Sequence, residues 1–248
     1  IPLQGVWTAD EGELPPWKGD YHHDLNTQMT YMGYQTSGHL DEGLSFLEFM
    51  DDLLPVFRKF AKEFYETSGA VVPTIMSLAG NFLGGWAQYS MSPVHGAWVG
   101  HLYYLHWWCS EMGEALRGLL KPDENGVLVL PTSASPEAWN ADMRAWLTPN
   151  SNYDLSCMRM LFLANAEMAE QLGVPTAVQD WKNLAAGLGP LHVNQKGMLK
   201  ISPDEDLEFS HRHLATIMSI YPFNLLNIEG TAEEREVIYA SVHDLDRL

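Results

Sequence analysis

Apolar side chains that recur every three or four residues restrict the fold of this sequence more than any other feature. The spacing places them on one face of an α-helix and predicts a long helix over 40–64, adjusted near Pro55. The same pattern predicts further helices at 96–120, 153–172, 178–186, 211–220 and 232–248. The clearest strand signal is at 127–130, directly after a turn. We therefore expect an all-α fold with few short strands and long loops between the helices.

No feature of the sequence marks a border between domains. It contains no low-complexity tract, no exact internal repeat and no shift in composition. A chain of 248 residues is also long enough to bury a large hydrophobic core. We therefore predict a single domain over 1–248, in which 1–38 form an irregular entry segment and a first site loop.

The charge of the chain limits what it can bind. It has 14 lysines and arginines against 32 aspartates and glutamates, which gives a net charge of −18 at pH 7. Nucleic acids, anionic membrane surfaces and polyanionic substrates all require clustered positive charge, so the composition argues against each of them. The sequence favours a neutral ligand and predicts neither a nucleic-acid partner nor a membrane partner.

The patterns that bind metals and cofactors are weak here. Cys109 and Cys157 lie in apolar helical stretches, which is typical of buried free thiols. The adjacent His22 and His23 point apart in any regular structure, and no His-x-x-x-His or cysteine pair completes a metal site. The glycine-rich loop at 80–85 lacks the lysine of a phosphate cradle, and no nucleophile elbow surrounds a serine. We expect neither a metal nor an organic cofactor.

Three loops carry acids among hydrogen-bonding groups and rings. They are 20–28, 131–137 with Trp139 close behind, and 204–213. Taken singly, they could be a capped helix start, an ordinary turn and a solvated acidic loop. Taken together, beside nine tryptophans, they match the needs of a sugar site, in which rings stack on pyranoses and two carboxyl groups move protons. We expect the loops to converge on one ring-lined pocket.

Five short segments, in this order along the chain, carry a family resemblance. They are Leu3-Gln4-Gly5-Val6-Trp7; Asp20-Tyr21-His22 with Asn26, Gln28, Met29 and Tyr31; Gly96-Ala97-Trp98 with His101-Leu102; Ser135-Pro136-Glu137; and His211-Arg212-His213 with Tyr221-Pro222. Together they resemble the catalytic domain of glycoside hydrolase family 95, which comprises inverting α-L-fucosidases and some α-L-galactosidases. The resemblance implies an (α/α)₆ toroid of the glycosidase type, complete or incomplete, with long active-site loops.

The resemblance also implies roles for individual residues. Glu137 matches the general acid, whose pKa must be raised by an apolar setting that Pro136 and Trp139 could supply. Asn26 matches one of two asparagines that bind and orient the attacking water. Asp24 stands where the family has the other asparagine, so this carboxylate could itself be the base. In an inverting enzyme the acid and the base stand roughly 6.5–9.5 Å apart.

Other acids compete for the role of the base. The family carries an aspartate ahead of its His-Arg-His, and Asp204, Asp206 and Glu208 all lie in the comparable stretch, where spacing does not select one. The residues expected to contact the sugar are His22, Trp86, Trp98, Trp139, His211, Arg212 and His213.

The resemblance implies removal of a terminal L-fucose or L-galactose-like sugar from a neutral oligosaccharide or glycoconjugate. One alternative is a sugar-binding or scaffold domain that keeps the pocket without turnover. Another is a polysaccharide lyase, for which seven arginines and seven lysines are a poor match because uronates are anionic. Typical members are extracellular or periplasmic.

Typical members also carry a β-sandwich before this region and further helices after it. This sequence opens on Ile1-Pro2, and between Met112 and Leu128 it is about a helix shorter than the resemblance leads us to expect. We therefore expect either a trimmed member of the family or one part of a longer parent chain, whose further segments would cover exposed apolar faces.

Overall fold

The structure, a computed structural model, describes residues 19–37, 39–84, 90–104, 110–135, 138–139, 142–210 and 213–245. The chain divides into two compact units, one ending at Leu119 and the other beginning at Leu120. Helices carry most of the regular structure, and the strands of the described residues are two-residue pieces in three antiparallel pairs. The expected all-α class is confirmed, whereas the single domain stays a prediction. No helix in the described ranges has the length and apolarity needed to cross a membrane.

The first unit consists of helices joined by one short strand pair. Its described elements are β1 (Tyr21–His22), α1 (Asn26–Tyr31), α2 (Gly33–Thr36), α3 (Leu40–Asp52), α4 (Leu54–Phe64), β2 (Ile75–Met76), α5 (His95–Tyr104) and α6 (Ser110–Leu119). Strands β1 and β2 are antiparallel, with Tyr21 opposite Met76 and His22 opposite Ile75. This pairing fixes the chain that leads into α1.

The helix predicted over 40–64 is confirmed as two consecutive helices that break at Leu53. Pro55 lies in the first turn of α4, where a backbone N–H has no helical partner and its loss costs little. A proline ring also clashes with the carbonyl four residues earlier, which explains why α3 does not continue. The apolar face of α4 then packs on the first unit's core, where Ala61 joins Val71 and Ala115.

The second unit is built around two long helices. Its described elements are β3 (Lys121–Pro122), β4 (Leu128–Val129), β5 (Ser133–Ala134), β6 (Trp146–Leu147), α7 (Asn152–Gln171), α8 (Pro175–Gly187) and α9 (Ala232–Leu245), with short 3-10 turns at Met143–Ala145 and Ala215–Ile217. Strands β3 and β4 are antiparallel, and so are β5 and β6. The strand predicted at 127–130 is therefore confirmed as β4.

Helix α7 confirms the helix predicted over 153–172 and is buried on almost every side. A helix of this kind must be surrounded by other elements. The fully buried Phe162 stacks on Trp181 of α8 at a centroid distance of 5.8 Å. Gly173, at φ +70, ends α7 in the left-handed conformation that favours glycine, and Pro175 opens α8. Both helices therefore follow from local sequence signals. Cys157 of α7 is buried and free, as predicted, whereas Cys109 lies outside the described residues.

The helix predicted over 211–220 is wrong in the part that the structure describes. From His213 to Ile220 the chain forms turns and the 3-10 turn at Ala215–Ile217. The cause is Leu214, whose φ of 50 and ψ of 29 are left-handed and cannot continue a right-handed helix. The other predicted helices are present as α5, α6, α8 and α9, and residues 105–109 lie outside the described ranges.

Candidate functional site

A cluster of buried ionisable groups occupies the start of the first unit. Asp20, His22 and Asp24 are 1%, 6% and 2% exposed. His22 Nε2 lies 2.9 Å from Asp20 Oδ1, and His22 Nδ1 lies 3.9 Å from Asp24 Oδ1. Buried carboxylates are costly unless a partner compensates them, and here the imidazole lies between both. The result is an acid–histidine–acid arrangement that can bind hydroxyl groups and handle protons.

Helix α1 holds this cluster in place through side-chain hydrogen bonds to the backbone. Thr27 Oγ1 donates to the His22 carbonyl and Gln28 Nε2 to the His23 carbonyl, each at 2.7 Å. The His23 N–H donates to the Thr74 carbonyl at 2.7 Å. The loop between β1 and α1 is therefore tied both to its own helix and to the chain beside β2. Gln28 of the family signature thus has a structural role.

Asn26 begins α1 two residues after Asp24 and is half-buried. Its backbone carbonyl accepts a hydrogen bond from Thr30 Oγ1 at 2.9 Å. Its side-chain amide has no hydrogen-bond partner among the residues that the structure describes, so both of its polar atoms are available for a ligand or a water molecule.

His23 is fully buried, and neither ring nitrogen has a hydrogen-bond partner in the described ranges. Burial, reinforced by the neighbouring His22 and His95, lowers its pKa from 6.5 to about 3. The folded protein therefore holds His23 as a neutral imidazole.

This shift predicts a loss of stability in acid. Because the folded pKa of His23 lies below the unfolded value, its contribution is complete above pH 6.5 and is lost as the pH falls toward about 3. As the pH falls through this window, we expect the free energy of unfolding to decrease less steeply for His23→Gln than for the wild type. The difference in slope should be up to about 1.4 kcal/mol per pH unit. Urea denaturation across pH checks this, with the exposed His39→Gln as the control. Equal slopes for wild type and His23→Gln would contradict it.

A cavity of about 650 Å³ lies in the second unit. The residues that line it include Trp139, Arg144, Asn194, Lys200, Asp204, Asp206 and Glu208. The Arg144 guanidinium carbon lies 3.8 Å from the centroid of the Trp139 ring, a cation–π contact that fixes one wall. Four of the predicted site residues, Trp139 and the three acids of 204–208, therefore share one cavity.

The acids of this cavity differ in their partners. Asp204 accepts hydrogen bonds from Thr148 Oγ1 at 2.8 Å and Ser202 Oγ at 2.9 Å, and these donors hold its pKa below the usual value. Asp206 accepts from Asn194 Nδ2 at 3.2 Å. All three acids are exposed, whereas Leu207 between them is buried. This alternation is typical of an extended segment with one face in solvent.

Pro136 and Glu137 lie outside the described residues, but both flanks of this pair are fixed. Ser135 and Ala138 are 1% and 0% exposed, and the Ala138 N–H donates to the Ser135 carbonyl at 3.3 Å. The residues on both sides of Pro136 and Glu137 are therefore buried and hydrogen-bonded to each other. The turn predicted here falls on residues outside the described ranges and stays a prediction.

The residues after Glu137 contact the acid loop of 204–208. Ala138 shares a hydrophobic cluster with Leu207, and the Trp139 ring lies 4.3 Å from the Phe209 ring between centroids. Two of the three acid-bearing loops thus meet within the second unit. That Glu137 faces Asp24 and Asn26 stays a prediction.

The remaining predicted site residues divide into two groups. Trp98 on α5 is 4% exposed and His213 is 5% exposed, so both are largely enclosed by protein. Trp86, His211 and Arg212 lie outside the described residues. Among the described residues, no group of three or more histidines, cysteines and acids could hold a metal ion.

Asp154, a fully buried acid in the first turn of α7, is not among the residues predicted from the sequence. Burial raises its pKa from 3.8 to about 7, although hydrogen bonds from Ser133 and Ser151 oppose the shift. The available signal was an acid three residues after a serine at the start of a strongly apolar helix.

Buried carboxylates beside a histidine and an amide, and a cavity lined by a large ring and polar groups, are the groups that a carbohydrate site needs. Comparison with known families agrees. The chain belongs to the glycosyl hydrolase family 95 catalytic domain family, whose model matches residues 1–247.

Two curated proteins are similar to this chain. Alpha-L-fucosidase 2 of Arabidopsis thaliana is 25% identical over 265 residues, which cover 97% of this chain and 31% of the plant protein. "Probable alpha-fucosidase A" of Aspergillus niger is 31% identical over 160 residues, which cover 54% of this chain and 19% of the fungal protein. The chain thus spans less than a third of the length of these relatives.

Proposed function

We propose that this chain contributes to a glycoside hydrolase that removes a terminal L-fucose or L-galactose-like sugar from a neutral oligosaccharide with inversion at the anomeric carbon. Membership of the family and the names of both relatives support a glycosidase. The observation that carries the proposal is the buried Asp20–His22–Asp24 cluster, directly followed by the available amide of Asn26. Buried acids of this kind lower stability and are typical of functional sites.

In this proposal Glu137 is the general acid that protonates the departing glycosidic oxygen. A general acid must hold its proton near neutral pH, which requires a setting that disfavours the carboxylate. The support is the burial of both flanks of Glu137 and the packing of the next residue but one, Trp139, on Phe209.

Asp24 is the base that we favour, with Asn26 orienting the water. Asp24 is nearly inaccessible to solvent and lies beside His22. Asp204 and Asp206 are exposed and accept hydrogen bonds from Thr148, Ser202 and Asn194. Burial beside an imidazole, in the same loop as Asn26, favours Asp24 over the exposed acids of 204–208 as the base. His22, between two carboxylates, can fix the orientation of Asp24 or contact a sugar hydroxyl.

The cavity of the second unit supplies groups suited to a neutral sugar. Trp139 offers a ring, Asn194 an amide, and Arg144 and Lys200 donors for hydroxyl oxygens. A net charge of −18 supports an uncharged substrate over a uronate.

The proposal is tested with the full chain on α-L-fucosides and α-L-galactosides. Proton NMR spectroscopy follows which anomer appears first. We expect the β-anomer, because inversion at an α-linked centre produces it. An α-anomer as first product would overturn the inverting mechanism. An unsaturated, ultraviolet-absorbing product would instead indicate a lyase, and sugar binding in calorimetry without hydrolysis would indicate a binding domain.

A further inference from the structure

The first turn of α7 contains an unusual arrangement of two serines and a buried acid. Ser151 caps the helix, and its Oγ accepts a hydrogen bond from the Asp154 N–H at 3.2 Å. In an ordinary capping box the acid would reach back to the N–H of the capping serine. Here that N–H donates to Ser133 Oγ at 3.1 Å, and the Ser133 hydroxyl donates in turn to Asp154 Oδ2. A serine from β5 has thus been inserted into the helix cap.

This arrangement lowers the stability of the folded protein more than an ordinary helix cap does. Asp154 is fully buried, and its Oδ1 has no hydrogen-bond partner among the described residues. Its pKa of about 7 lies above the unfolded value of 3.8, so its contribution to stability is complete below pH 3.8 and is lost as the pH rises toward 7. An asparagine would keep a hydrogen-bond acceptor without this cost. Residues that lower stability in this way are commonly retained for function.

The inserted serine links Asp154 to the segment before Glu137. Ser133 belongs to β5, and Ser135 directly follows that strand. The Ser135 carbonyl accepts a hydrogen bond from the Ala138 N–H, and Glu137 directly precedes Ala138 in the sequence. The β5–β6 pairing holds two residues of this strand, and the hydrogen bonds of Ser133 join the strand to the first turn of α7 as well.

We propose that Asp154 is a positioning residue for the proton donor: through Ser133 it holds β5, and with it Ser135, which lies two residues before Glu137 in the sequence. The inference rests on the proposed function, because it assigns the donor role to Glu137. Asp154 itself is fully buried, so its proposed role needs no contact with the sugar.

Leaving-group dependence tests this inference. A glycosidic bond to an alcohol needs a proton from the enzyme, whereas a glycosyl fluoride releases fluoride with little need of one. Misplacing the donor should therefore lower kcat on a phenyl glycoside by about 10- to 100-fold and leave the glycosyl fluoride within about threefold. We expect this pattern for both Asp154→Asn and Ser133→Ala. Ser133→Ala keeps the buried acid, and so covers the case in which Asp154→Asn folds poorly.

Ser156→Ala is the matched control, because Ser156 is a fully buried serine of the same helix that donates to the Asn152 carbonyl at 2.6 Å and leaves β5 untouched. Equal losses on both substrates for Asp154→Asn and Ser133→Ala would overturn the inference, since a purely structural role predicts them. Unchanged kinetics in both variants would overturn it as well, provided that Glu137→Gln shows the leaving-group pattern. If Glu137→Gln lacks that pattern, the donor assignment is wrong and the inference fails with it.

Discussion

Replacing Glu137 by glutamine is expected to lower the hydrolysis of a phenyl α-L-fucoside by about 10²- to 10⁴-fold, because the amide has no proton of suitable acidity to donate. The same variant should keep most of its activity on the glycosyl fluoride, whose leaving group needs little protonation. The pH dependence of kcat should also lose its alkaline limb, since that limb reports the ionisation of the acid. Steady-state kinetics on both substrates from pH 4 to 9 measure all three effects.

The exposed Glu124 provides a control for Glu137→Gln. It lies in the turn between β3 and β4, so Glu124→Gln makes the same chemical change in the same unit. We expect wild-type kinetics from it. Hydrolysis of the phenyl glycoside at the wild-type rate by Glu137→Gln would remove Glu137 from the mechanism and leave the family resemblance at this segment without a catalytic meaning.

Replacing Asp24 by asparagine is expected to lower kcat by about 10²- to 10⁴-fold on both substrates, because a base is needed whatever the leaving group. Sodium azide should restore turnover and yield a glycosyl azide, since the azide anion attacks without losing a proton. The change is also informative because asparagine is the residue that the family resemblance leads us to expect at this position. A carboxylate that acts as the base cannot be replaced by the family's own amide.

The competing bases are tested in parallel. Asp204→Asn, Asp206→Asn and Glu208→Gln remove the exposed acids of the second unit's cavity one at a time. We expect each to stay within about tenfold of wild type, as suits residues that only line a binding surface. If Asp24→Asn is fully active and one of these three shows the azide-rescued loss instead, the base belongs to the acid loop. Circular dichroism of each variant verifies that it is folded.

The sequence predicted the helices well where the spacing of apolar residues and the local start and stop signals are sufficient to identify them. The capping serine, the apolar pattern and the terminal Gly173 of helix α7 are all visible in its local sequence. Pro55 likewise marks the break between α3 and α4. The prediction of a helix at 211–220 was wrong because Leu214 is left-handed, and leucine is not a residue type that indicates this conformation. Tertiary contacts impose such backbone angles, and a pattern of side chains does not record them.

The site was predictable in its residue types and less so in its geometry. Acids beside a histidine and an asparagine identified 20–28 as a polar loop, and the structure shows how deeply Asp20 and Asp24 are buried. Asp154 was missed because an acid in the first turn of a helix has an ordinary explanation in capping. Its burial depends on Ser133, which is 21 residues earlier in the chain, and such a contact leaves no local signal.

The short connection between α7 and α8 bears on the order in which the second unit assembles. Contacts between these helices join residues that are close in sequence, so forming them costs little chain entropy. The segment at 192–208, by contrast, contacts α7 through residues that are far apart in the sequence. For example, the Asn152 side-chain amide donates to the His192 and Lys200 carbonyls at 2.8 Å, across 40 and 48 residues. The hairpin of α7 and α8 can therefore form first, and the segment at 192–208 can then pack against it.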